Sequence, residues 1–271
     1  MPEITNLVVF GATGTQGHPV VDAALKGHLR VRAVTRDPVK AAEVLSSRAE
    51  VMEGDLLDRR SVTAAMRGMD AAFFYLPVLP QASDAQVMID NVIDAARSVA
   101  LKRLVFTTSA WCGDNMPPGD FVNGLRTASN CLLESEIDVV VLRPTLYLAN
   151  LVWPHILGEV RDHGCLTYPP LSPDRRLNWT ATEDQGRLAV AALNQGVCGE
   201  VIDVASPEPL TGPELCQCLS RVFKREVHYA PQTVADFAAT LSAMAHSAEV
   251  GRSVSALYDG INALPEDGPL V

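Results

Sequence analysis

Apolar residues fall into two alternating patterns along this chain. Leu7-Val8-Val9-Phe10 is an unbroken apolar run, as a strand buried on both faces requires, and Val20, Val21, Ala24 and Leu25 follow it at helical spacing. The pair then recurs. Residues 29–35 read as a strand and 38–48 as a short helix opened by Pro38; 49–53 is a strand, and 59–67 a helix capped by Asp58. Residues 70–76 form a fourth strand, with Pro77 and Pro80 in the loop after it. A long helix, 84–100, follows, with Val87, Val92, Ala95, Ala96 and Val99 on its buried side. A fifth strand (104–108), a helix (121–134) and a sixth strand (139–142) complete the series. Strands separated by helices predict an α/β fold, a Rossmann-type doubly wound parallel sheet.

Beyond Pro144 the alternation breaks. Residues 147–160 read as a helix carrying Leu151, Val152, Ile156 and Leu157, and 168–178 as a polar, proline-rich loop. Residues 183–195 are helical again, and 200–204 form a strand positioned to join the sheet edge. Thr211-Gly212-Pro213-Glu214 matches a capping box with proline in the first turn, and the remainder, through Phe237, Leu241 and Met244, is helical. The expected organisation is a core over 1–145, completed by 180–205, with 146–179 and 206–271 forming a small, mainly helical substrate-binding lobe. A second ligand is expected between lobe and sheet, at the carboxyl ends of the strands.

Composition narrows the classes. The chain has 271 residues, 48% of them hydrophobic and 20% charged, enough for one large domain with a lobe. Its 32 acidic residues outweigh 22 basic ones for a net charge of −10, which argues against DNA or an anionic membrane as a direct partner. Cys112, Cys131, Cys165, Cys198, Cys216 and Cys218 fit no zinc spacing, so no metal is expected and buried free thiols are. Met1-Pro2-Glu3 lacks the basic head and apolar body of a signal peptide. The most apolar span, 139–157, is broken by Arg143, Pro144 and Pro154, so a cytoplasmic protein is expected.

The chemistry concentrates between the first strand and the first helix, at Gly11-Ala12-Thr13-Gly14-Thr15-Gln16-Gly17. Strand, glycine-rich turn and helix in that order are the fingerprint of a dinucleotide site. Gly11 ends the strand where positive φ is needed, Gly14 lets the main chain approach a pyrophosphate, and Gly17 lets the helix pack on the strand. Thr13, Thr15 and Gln16 are short polar side chains within reach of phosphate or ribose oxygens. At the end of the second strand an acid would accept from an adenosine 2′-hydroxyl. The first polar residue there is Arg36, a planar donor suited to a phosphate, which favours NADP over NAD; Asp37, one residue on, could face the ribose instead. Asp55, just past the third strand, is the candidate acceptor for an adenine amino group.

These residues resemble the NmrA-like proteins, an atypical, extended group of short-chain dehydrogenases. The likeness rests on Gly11 to Gly17, Thr35-Arg36-Asp37-Pro38, Gly54-Asp55-Leu56, Asn91-Val92-Ile93-Asp94-Ala95-Ala96, Leu104-Val105-Phe106-Thr107-Thr108-Ser109, Leu142-Arg143-Pro144 and Asn150, and is looser past about residue 210. It implies NAD(P) binding by Gly11 to Gly17, Arg36, Asp55 and Leu56, with Leu76 and Pro77 beneath the nicotinamide ribose. Family members include quinone, aldehyde and phenylpropanoid-type reductases; others bind the dinucleotide without chemistry, as redox sensors or regulatory partners.

The departures from the pattern bear on the reaction. The wider superfamily uses a serine after strand five and a Tyr-x-x-x-Lys pair on the next helix, where lysine lowers the pKa of the tyrosine that moves the proton. Ser109 stands in the serine position, but 121–130 holds neither tyrosine nor lysine. Arg126 can pair with a cofactor phosphate or ribose, yet cannot transfer a proton. Tyr147, expected near the nicotinamide, and His155 are the other proton sources, each with a plain core or surface reading beside it; His18 is too far from the nicotinamide. Trp111 and Trp153 either flank an aromatic substrate or belong to the core. Two functions fit: an NADPH-dependent reductase of a quinone, enone or aromatic small molecule, or a dinucleotide-binding sensor that acts through a protein partner.

Overall fold

The computed structural model describes residues 3–77 and 82–265; Pro80, expected in the loop after the fourth strand, and the first two residues lie outside them. In chain order, β1 (Asn6–Phe10), α1 (Gly17–Lys26), β2 (Arg30–Thr35), α2 (Pro38–Val44), β3 (Glu50–Glu53), α3 (Arg59–Met66), β4 (Ala71–Tyr75), α4 (Ala82–Ser98), β5 (Arg103–Thr107), α5 (Asp120–Leu133) and β6 (Val139–Pro144) alternate. Then come β7 (Leu146–Tyr147), a 3₁₀ turn (Leu148–Val152), α6 (Pro154–His163), β8 (Cys165–Leu166), β9 (Trp179–Thr180), α7 (Thr182–Gln195), β10 (Glu200–Val204), α8 (Gly212–Phe223), β11 (His228–Tyr229), α9 (Val234–Ala245) and α10 (Ala248–Ala263).

Seven of these strands form one parallel sheet among the described residues, in the order β3-β2-β1-β4-β5-β6-β10. The expected doubly wound α/β architecture is therefore what forms. Successive side chains of a strand face opposite sides, and β1 shows why its run is wholly apolar. Leu7 and Val9 enter a core with Val20 and Val21 of α1 and Ala189 of α7. Val8 and Phe10 enter a second core with Val62 and Met66 of α3 and Val92 of α4. The direction of winding reverses between β1 and β4, so the carboxyl ends of those two strands mark the switch point where such sheets take ligands. The strand expected at 200–204 joins the edge beside β6, held by Arg143, whose Nε and Nη2 donate to the two oxygens of Asp203 at 2.6 and 3.2 Å.

The chain divides into two compact units. The first comprises Met1–Ser109, Arg126–Pro144 and Thr182–Val204 and contains the sheet; the second comprises Ala110–Leu125, Thr145–Ala181 and Ala205–Val271. The second unit is mainly helical and has its own aromatic core. Tyr168, Phe237 and Tyr258 pack with ring centroids 5.0–6.0 Å apart. Asn150 Nδ2 donates to Tyr168 Oη at 2.8 Å, and the Tyr168 and Tyr258 hydroxyls are 2.8 Å apart. Buried Arg175 donates to the carbonyls of Asn262, Leu264 and Pro265, closing the C-terminal end of α10.

Several sequence expectations change here. Residues 147–160 are not one helix: a short strand and a 3₁₀ turn precede α6. Pro154 is the cause, because it forces Trp153 into an extended conformation (φ −56°, ψ 137°) and opens a new helix at its own position. The 168–178 segment is not simply polar, since Tyr168, Leu171 and Leu177 are buried. On α4, Val87 is 44% exposed, and Met88 and Ile89 take the buried stripe with Val92, Ala95 and Ala96. The helix from Pro38 stops at Val44. All six cysteines are free, but only Cys112 and Cys216 are buried, and Cys198 is exposed. The caps match expectation: Asp58 accepts from the amide of Arg60, and Thr211 and Glu214 form the reciprocal capping box, each cap contributing about 1 kcal/mol.

Candidate functional site

In the first unit, the glycine-rich turn leaves β1 at Gly11, whose φ of +66° lies in the left-handed region that favours glycine. The Gly14 amide donates to the Gly11 carbonyl at 2.9 Å, and the His18 amide to the Gly14 carbonyl at 3.0 Å, which folds the turn into the start of α1. A Cβ on Gly17 would collide with the Gly11 carbonyl oxygen. The turn is tied to β2 by Ala12 N donating to Val34 O at 3.1 Å and by the Thr13 and Thr35 hydroxyls, 3.5 Å apart. Ala12 is buried, Thr13 half-buried and Thr15 exposed. Gln16 caps no amide of α1 with its side chain, and the first turn contains no acid. The positive end of the helix thus faces outward without a competing carboxylate, a setting that fits the phosphates of a dinucleotide.

Immediately past β2, Arg36 and Asp37 part company. Asp37 is the cap of α2, its Oδ1 accepting from the Lys40 amide at 3.0 Å. Arg36 is exposed and makes no hydrogen bond or ion pair to a described residue. The charge free to meet a phosphate is therefore the cationic one. Past β3, Asp55 is half-buried. One carboxylate oxygen accepts from the Leu57 amide at 2.9 Å, and its own amide donates to Ser61 Oγ at 2.8 Å. The Leu56 carbonyl accepts from Asn91 Nδ2 at 2.9 Å, fastening this turn to α4. Leu76 is buried and Pro77 exposed at the end of β4.

Ser109, the residue after Thr108 at the end of β5, has φ of +64°, a strained setting for a side chain with a Cβ. Its hydroxyl donates to Gln16 Oε1 at 3.2 Å, across 93 residues of sequence. The structure thus joins two residues that the sequence named separately, one in the glycine-rich turn and one in the catalytic-serine position. Arg126, half-buried on α5, belongs to the same unit. Along the whole of α5 there is neither tyrosine nor lysine.

Tyr75 was missed by sequence reading. It closes β4, and its phenol hydroxyl lies 3.4 Å from the Gly11 carbonyl. A Cβ on Gly11 would come within 2.7 Å of that hydroxyl, and one on Gly14 would collide with it. Burial pushes the phenol pKa up, and the charge of Arg36 pulls it partly back, so the group is neutral and protonated at pH 7. The only local signal was an aromatic hydroxyl ending an otherwise apolar strand.

The remaining candidates divide between the two units. Tyr147 belongs to the second unit, where it is buried on β7 and its strand pairs with β9. His155, also there, has a buried Nε2 without a hydrogen-bond partner among the described residues, and burial lowers its pKa, so it is neutral at pH 7. Trp111 is buried, with Nε1 donating to Asn115 Oδ1 at 3.0 Å, whereas Trp153 packs on Tyr168 at 5.8 Å. His18 pairs loosely with Asp22 at 3.9 Å on α1. Among the described residues no group of three or more His, Cys, Asp or Glu could hold a metal ion, and no helix is long and apolar enough to cross a membrane.

Comparison with known proteins follows this geometry. The chain is 26% identical over 253 residues to an NAD(P)H azoreductase of Xenophilus azovorans, covering 93% of this chain and 86% of that one. It is 25% identical over 270 residues to quinone oxidoreductase 2 of Escherichia coli, covering 95% and 92%. Its fold matches the crystal structure of a Citrobacter sp. triphenylmethane reductase complexed with NADP(H), with a TM-score of 0.78 at 21% identity over 97% and 92% of the two chains. The NmrA-like family model matches residues 4–259, nearly the whole length, and the chain belongs to the NmrA-like family.

Proposed function

We propose that this protein is an NADPH-dependent reductase of quinone-like, enone or other electron-poor aromatic acceptors. The cofactor reading is supported by the glycine turn with its acid-free helix start and by the division of labour between Asp37, a cap, and Arg36, an uncommitted cation. Arg36 suits the adenosine 2′-phosphate, Asp55 the adenine amino group through its second oxygen, and Leu76 and Pro77 the nicotinamide ribose. Arg126 serves as a further cation for phosphate or ribose.

The observation that carries the reaction is the composition of α5. With no tyrosine or lysine there, the acid pair that would protonate a simple carbonyl is missing. When bound, the cofactor supplies a hydride. An acceptor that delocalises the resulting negative charge needs no dedicated acid and can take its proton from water. Quinones and azo dyes accept hydride in this way, and a triarylmethane cation is neutralised by hydride and needs no proton at all; such acceptors appear in the names of the relatives above. Ser109, its hydroxyl aimed at Gln16 and its backbone held in a strained conformation, is the side chain proposed to orient the acceptor. Tyr147 is the second hydroxyl proposed for that task.

The test is steady-state NADPH oxidation against a panel of a quinone, an enone, an azo dye and a triphenylmethane dye. Turnover with at least one supports the proposal. Tight NADPH binding with no turnover across the panel would favour the second reading, a dinucleotide-binding sensor with a protein partner, which the same missing acid pair on α5 also suits.

A further inference from the structure

Tyr75 lies on the glycine turn, and among the described residues its hydroxyl has no short acceptor. The 3.4 Å separation from the Gly11 carbonyl is long for an O–H···O bond, which is normally about 2.7–2.8 Å. The ring is held from behind by the sheet core, with Phe73 at a centroid distance of 6.5 Å, so the hydroxyl is presented on a supported side chain. It rests against Gly11 and Gly14, beside the acid-free start of α1 and in the field of Arg36. Each of these neighbours favours an anion: a helix N-terminus, a guanidinium and a neutral phenol that can donate. The first acid past β2, Asp37, is engaged with the Lys40 amide.

We propose that Tyr75 is a diphosphate-binding residue, whose hydroxyl exchanges the weak contact to the Gly11 carbonyl for a phosphate oxygen of the dinucleotide. The proposal rests on the dinucleotide reading above. It also gives the glycines at 11 and 14 a second reason, because any larger residue there would expel the phenol from the turn. The diphosphate is common to NADPH and NADH, so Tyr75 contributes to binding both, whereas Arg36 distinguishes them.

The experiment is calorimetric titration of wild type, Tyr75→Phe and Arg36→Ala with NADPH and with NADH. Tyr75→Phe keeps the ring and removes only the hydroxyl. We expect it to weaken both dinucleotides by the same factor, about tenfold or more, as loss of a charge-assisted hydrogen bond would, with melting temperature unchanged and the NADPH/NADH ratio preserved. Arg36→Ala should change that ratio. A Phe variant that binds both dinucleotides as wild type does, or more tightly, overturns the proposal; the ring would then only pack on the turn or obstruct it. Failure of the wild type to bind either dinucleotide would instead overturn the cofactor reading, and this proposal with it. As a second readout independent of any variant, ¹⁹F spectra of fluorotyrosine-labelled wild type should show the resonance of one partly exposed tyrosine shifting with NADPH and NADH alike. No tyrosine resonance shifting with either bound dinucleotide would contradict the assignment.

Discussion

At the amino edge of the sheet Arg32 and Arg48 are engaged by the protein's own carbonyls, whereas at the carboxyl edge Arg36 is not. Arg32 donates to the carbonyls of Ala65 and Arg67 at 2.8 and 2.9 Å and pairs with Glu50 at 3.1 Å. Arg48 donates to the Leu25 carbonyl, at the end of α1. A cavity of about 620 Å³ opens beside them, lined by His28, Arg30, Arg32, Arg48 and Glu50 among others. Its positive lining resembles an anion site, but two of its arginines neutralise the negative ends of helices and are not available to a ligand. At the opposite edge the start of α1 carries no acid and no side-chain cap, and Arg36 has no partner among the described residues. Equal residue types therefore do different work. Whether a charge is already satisfied separates a structural cation from a binding one, and none of the residues proposed to hold the dinucleotide lines this cavity.

Four substitutions sharpen this contrast, taken from the largest expected effect. Arg32→Leu should destabilise the fold by about 2–3 kcal/mol, since it strands two helix-end carbonyls and Glu50. Chemical denaturation should show that loss while calorimetry shows NADPH affinity unchanged; a loss of affinity alone would mean that the amino edge is a ligand site after all. Arg36→Ala should do the reverse, costing about 1.5–3 kcal/mol of NADPH binding, with NADH affinity and melting temperature barely altered. Equal losses for both dinucleotides would assign Arg36 a structural role.

The third substitution tests the amino edge through pH. Burial alone would raise the Asp70 pKa, but Lys102 at 2.6 Å and the amides of Thr5 and Asn6, each at 2.9 Å, more than offset it and hold the carboxyl well below its ordinary value near 3.8. A depressed folded-state pKa stabilises fully above the unfolded value and is lost as pH falls through the folded one. Asp70→Asn should therefore cost about 1–2 kcal/mol at pH 7, and its deficit should shrink below about pH 4, visible in denaturation curves across pH 2–7. A deficit independent of pH would contradict the assignment. The smallest effect is expected of Asp37→Ala, about 1 kcal/mol of stability from loss of the α2 cap. The NADPH/NADH ratio should not move; if it did, Asp37 would be reading the ribose.

The sheet was legible because both faces of its strands are covered, so β1, β4 and β6 announce themselves as continuous apolar runs. Helix ends with side-chain caps were equally plain at Asp58 and Thr211, where the cap and its partner lie within three residues. The break at Pro154 was overlooked because apolar spacing through Leu151, Ile156 and Leu157 outweighed a single proline. Tertiary pairings were beyond reach: Ser109 meets Gln16 across 93 residues, and nothing local in Ala71–Tyr75 distinguishes a tyrosine that covers a distant turn from one that fills a core. The Arg36–Asp37 ambiguity is of the same kind, since it is removed only when Asp37 is seen on the Lys40 amide.

The central claim, that the uncommitted cation at the carboxyl edge receives the 2′-phosphate of a dinucleotide, is tested most directly by titrating the unmodified protein with NADPH and NADH in one calorimeter. Tighter binding of NADPH, by about tenfold or more as one charge-assisted contact allows, is the expected result. Equal affinity for the two, or binding of neither, would contradict it.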